Sequence, residues 1–164
     1  MNAPAKDWAD SMNWRAKHPD ELARFAEVIA AVECLRQHDA ASACGVFAAS
    51  GVPARRHVPY ALSLLSAALE DRAAGLTDRL LDNPFGFDTH GHAVQVTVTR
   101  AAHLWGEGEL AKLTDLARTA AFSPRDWVLG VCALLAAICA DSSGYDWLLT
   151  KAKKLDELMK RGEK

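Results

Sequence analysis

The side chains of this chain best suited to chemistry gather in two places. Asp88, His90 and His92 follow the turn-forming run Asn83-Pro84-Phe85-Gly86-Phe87. An imidazole beside a carboxylate can serve as a general base or hold a metal. The plainer reading makes Asp88 or Thr89 the cap of a following helix and leaves the histidines exposed. Cys34 and His38 stand one helical turn apart, a spacing able to grip a metal if Cys44, His57 or the His90/His92 pair completed the set. The sequence has no HExxH, no Glu-x-x-His and no repeated CxxC. A structural cysteine beside a helix-end histidine that complements the helix dipole explains the first pair as well.

Cys132 and Cys139 lie in an apolar run, whereas a nucleophilic thiol needs an electropositive and accessible setting. They read as core. The four cysteines sit inside Ala- and Leu-rich helical patterns, so free thiols in a reducing compartment are expected rather than disulfides. Arg55-Arg56-His57, held between Pro53 and Pro59, is a basic patch that could meet a phosphate or an acidic partner. A second basic set, Lys151, Lys153, Lys154, Lys160 and Arg161, is interleaved with Asp156 and Glu157, as on a solvated helix face. No nucleophile elbow, phosphate-cradling glycine loop or dinucleotide fingerprint is present.

The elements that must position these residues are helical. Of the 164 residues, 50% are hydrophobic and 24% charged, the ordinary balance of a globular domain. Trp127 to Ala140 contains no charged side chain. At about 1.5 Å per residue it is roughly 21 Å long, short of a hydrocarbon layer of about 30 Å. It reads as a central core helix. Apolar residues at steps of three and four mark further helices: Leu22, Phe25, Ile29, Val32 and Leu35; Leu62, Leu65 and Leu69, widened by Leu64 and Ala68; and Leu148, Leu149, Ala152, Leu155 and Leu158 or Met159. Ala40 to Ser50 makes a small helix stopped by Gly51, with Val46 and Phe47 as anchors. Ala73 to Asp82 makes another, carrying Leu76, Leu80 and Leu81.

Residues 93–99 alternate as a strand would, but no second strand candidate exists to pair with them. Val94, Val98, Ala101 and Trp105 share a helical face, so a helix is expected there. Ser123-Pro124-Arg125-Asp126 carries a capping serine and a first-turn proline. Ser142-Ser143-Gly144 is expected to be a turn before a last helix beginning at Tyr145.

The expected fold is all-α, with about eight or nine helices as four antiparallel hairpins, in a short repeat-like stack or a compact bundle. One domain covers 1–164: a leading segment 1–17, then hairpins 18–51, 52–83, 89–122 and 123–161. The turns inside the hairpins recur at roughly 35 residues, a period typical of stacked helical pairs.

This pattern favours a non-enzymatic protein-binding module, an adaptor, inhibitor or immunity-type partner, docking through a helical surface. The expected contact residues are Trp14, Arg55, Arg56, His90, His92 and Trp147. No catalytic residue, metal ligand or cofactor is assigned on this reading. The alternatives are a metal-binding protein or enzyme built on Asp88/His90/His92 or Cys34/His38, and a nucleic-acid binder using Arg55, Arg56 and the C-terminal lysines. A net charge of −2 counts against nucleic acid and against an anionic membrane. The first ten residues lack the apolar core of a signal peptide, so a cytoplasmic location is expected, as a monomer or a homodimer.

Overall fold

Four short polar side chains start helices here. The structure, a computed structural model, describes residues 24–120 and 122–160. The leading segment, Trp14 and Leu22 lie outside the described residues. Those described form eight α-helices: α1 (Arg24–Arg36), α2 (Ala40–Ser50), α3 (Val58–Asp71), α4 (Leu76–Arg79), α5 (Thr89–Glu107), α6 (Leu110–Ala120), α7 (Pro124–Ile138) and α8 (Ser142–Lys160). Short 3-10 turns cover Ala54–Arg56 and Leu80–Asp82, and no strand occurs among the described residues.

Asp39 accepts from the Ser42 amide at 3.0 Å to open α2, and Asp88 from the Gly91 amide at 2.6 Å to open α5. Ser123 accepts from the Asp126 amide at 3.2 Å to open α7, and Asp141 from the Gly144 amide at 2.6 Å to open α8. Each cap satisfies a backbone donor that the helix cannot. Hydrogen bonds from Ser42 also hold the Asp39 carboxyl below its ordinary pKa.

Residues 93–99 are helical, and Val94, Val98, Ala101 and Trp105 are all buried. The alternating pattern loses because α5 has helices on several sides, so the valines facing more than one neighbour all find cover. Other boundaries depart from expectation. The last helix begins at Ser142 rather than Tyr145, because Asp141 supplies a cap that the Ser-Ser-Gly run conceals. The expected helix over Ala73–Asp82 shrinks to α4 plus a 3-10 turn. Leu76 and Leu80, one turn apart, are buried, while the next residue, Leu81, points outward and is 82% exposed. Leu149 is likewise exposed beside buried Leu148. The side chains of Leu158 and Met159 lie outside the described residues.

α7 holds the middle. From Trp127 to Cys139 no residue is exposed, and the helix packs on α1, α3 and α5. Cys132 Sγ approaches the Val28 carbonyl at 4.0 Å, and Arg36 donates to the carbonyls of Cys139 at 3.1 Å and Ala140 at 3.2 Å. These contacts run up both helices together, so α1 and α7 lie side by side in the same direction. Arg36 thereby satisfies carbonyls at the end of α7, where a cation suits the dipole, and its guanidinium also covers the Tyr145 ring at 4.3 Å.

The hairpin reading fits the long contacts of α1 with α2 and of α5 with α6. In an open stack the fourth pair would touch only the third. Here its first helix meets the first helix of every other pair, which is the contact pattern of a closed bundle. α8 lies against α1 and α3, tied by Lys151–Asp71 at 3.7 Å and by Arg72–Asp141 at 3.7 Å beside its cap.

Gly130 lets α7 pack closely on α5: an added Cβ there would collide with the Val94 side chain. Gly130→Leu is therefore expected to cost about 1–3 kcal/mol or more by overpacking, measurable as a lowered urea midpoint with unchanged helical circular dichroism at zero denaturant.

Candidate functional site

The expected chemical residues do not converge. Asp88 is committed to capping α5. His90 is exposed, its ring edge-on to Phe122 at 5.9 Å, and Phe122 in turn meets Trp127 at 6.4 Å. His92 is half-buried within the first turns of α5. α1 ends at Arg36, so Cys34 and His38 do not share a helix: Cys34 is half-buried and His38 is exposed beyond the end with φ 59°. The one-turn spacing that suggested a metal pair is broken by the chain's exit from the helix. Among the described residues no group of three or more His, Cys, Asp or Glu side chains is arranged to hold a metal ion.

All four cysteines are free. Burial pushes the Cys132 thiol far above its usual range. The Cys139 thiol is pushed up to about 11, chiefly by burial, with nearby Arg72 and Arg36 opposing and Asp141 reinforcing the shift. Cys34 and Cys44 are half-buried. At pH 8 in native buffer, a thiol reagent is expected to modify Cys34 and Cys44 well before Cys132 and Cys139, a pattern readable by peptide mass mapping. The linkage has a definite sign. A thiol whose folded pKa is raised contributes its full stability below the ordinary value near 9.0 and loses it as pH rises toward about 11.

His57 departs furthest from its expected role. Instead of standing in a surface basic patch it is fully buried. Its Nε2 lies 3.1 Å from Glu27 Oε1 on α1, and its ring packs edge-on against Phe47 of α2 at 4.8 Å. Glu27 also pairs with Arg24 at 2.7 Å. One imidazole thus ties α1, α2 and the start of α3 together. Arg55 and Arg56, half-buried in the 3-10 turn just before it, are held where that turn packs on α7.

This junction builds a cleft of about 320 Å³ lined by Phe47, Ala48, Gly51, Val52, Pro53, Ala54 and Arg125. The local chain makes its wall in two steps. Gly51 ends α2 at φ 70°, a left-handed conformation that glycine adopts without strain, and Pro53 then fixes the extended backbone leading into the 3-10 turn. Six of the seven lining residues carry no charge. The seventh, Arg125, is exposed in the first turn of α7, and no ion pair joins it to a carboxylate among the described residues.

Beside the cleft, the outer side of α2 exposes Ala40, Ala41, Ser42, Gly45, Ala48 and Ala49, and the chain carries no charged side chain from Ala40 to Ala54. An exposed helix face ordinarily carries charge; this one carries none. Of the expected contact residues, Arg55 and Arg56 are brought next to this surface, while Trp147 is half-buried against the core. Sequence reasoning treated α2 as a minor helix and Arg125 as part of a capping signal. The missing charges from Ala40 to Ala54 were the available sign.

Compared with protein-family models, curated proteins and solved structures, the chain matches none. Its class is that of an all-helical protein with a shallow open cleft beside an exposed helix that carries no charge.

Proposed function

We propose that this protein is a non-enzymatic binding module that docks another protein on α2 and the adjoining cleft. The observation that carries the reading is the uncharged outer face of α2, exposed at Ala41, Gly45, Ala48 and Ala49. Small side chains let a partner backbone approach closely, and water leaves such a face at little cost because no charge must be desolvated. Anchoring by His57 and Phe47 holds the helix in place, so docking would order few groups and lose little entropy.

Native mass spectrometry of the protein, purified gently from its own cells, tests the proposal. The expected spectrum shows one added protein mass at fixed stoichiometry. The Ala48→Glu chain, with an unchanged melting temperature, is expected to lose that mass. A wild-type chain that appears only alone, or a partner that Ala48→Glu retains undiminished, would overturn the reading.

A further inference from the structure

We draw no further inference here: the strongest candidate, the exposed apolar corner of Leu81 and Phe85 between α4 and α5, is a surface patch for which nothing in the structure shows what covers it.

Discussion

Trp127→Ala is expected to lower the unfolding free energy by about 3–5 kcal/mol, a large part of the roughly 5–15 kcal/mol that holds such a domain together. Trp127 is 2% exposed and begins the buried stretch of α7, with its ring edge-on to Phe122. Because α7 packs on α1, α3 and α5 at once, a void opened there is lined by several helices that cannot all close in. For a chain of this size the loss corresponds to a fall in melting temperature of roughly 6–20 °C, measurable by calorimetry. A fall of only a degree or two would mean that α7 is not the centre of the core.

The second large effect is at His57. His57→Ala removes a fully buried ring, its bond to Glu27 and its contact with Phe47, and is expected to cost about 2–4 kcal/mol. Glu27→Ala is expected to cost less, since that side chain keeps 22% of its surface in water. The two should couple in a double-mutant cycle by about 0.5–3 kcal/mol, because each loses the same bond. Chemical denaturation of the four chains of the cycle measures this. Additive losses would show that the Nε2–Oε1 contact contributes nothing. The same substitution should loosen the Gly51–Ala54 wall, seen as faster amide exchange at Val52 and Ala54.

Helical class and the central role of α7 were legible from sequence because both rest on many residues. A fourteen-residue run without charge has nowhere to go but inside, and steps of three and four are not produced by strands. Caps with one short polar residue, as at Asp88 and Ser123, were equally readable. The start of α8 was not, because Asp141 stands only three residues beyond the end of α7 and the Ser142-Ser143-Gly144 run after it has the composition of a turn. Arg36 could not be assigned either: the carbonyls it serves belong to Cys139 and Ala140, more than a hundred residues away, and no local pattern records that meeting.

The candidate site was the least legible. Its walls come from α2, the turn after it and the first turn of α7, and each piece is unremarkable alone. Histidines and cysteines draw the eye because they can do chemistry, yet here the most important of them, His57, is a buried strut. Arg55 and Arg56 earned notice by charge and do stand beside the cleft. Arg125 did not, because the capping signal around it explained the tetrapeptide without it.

Amide hydrogen exchange of the chain, free and with its partner bound, tests the central claim most directly. Protection on binding is predicted across Ala40–Ala54 and at Arg125, with the exposed corner of Leu81 and Phe85 unchanged. Protection confined to that corner, to the His90/His92 turn or to Trp147, with Ala40–Ala54 exchanging as in the free chain, would contradict it.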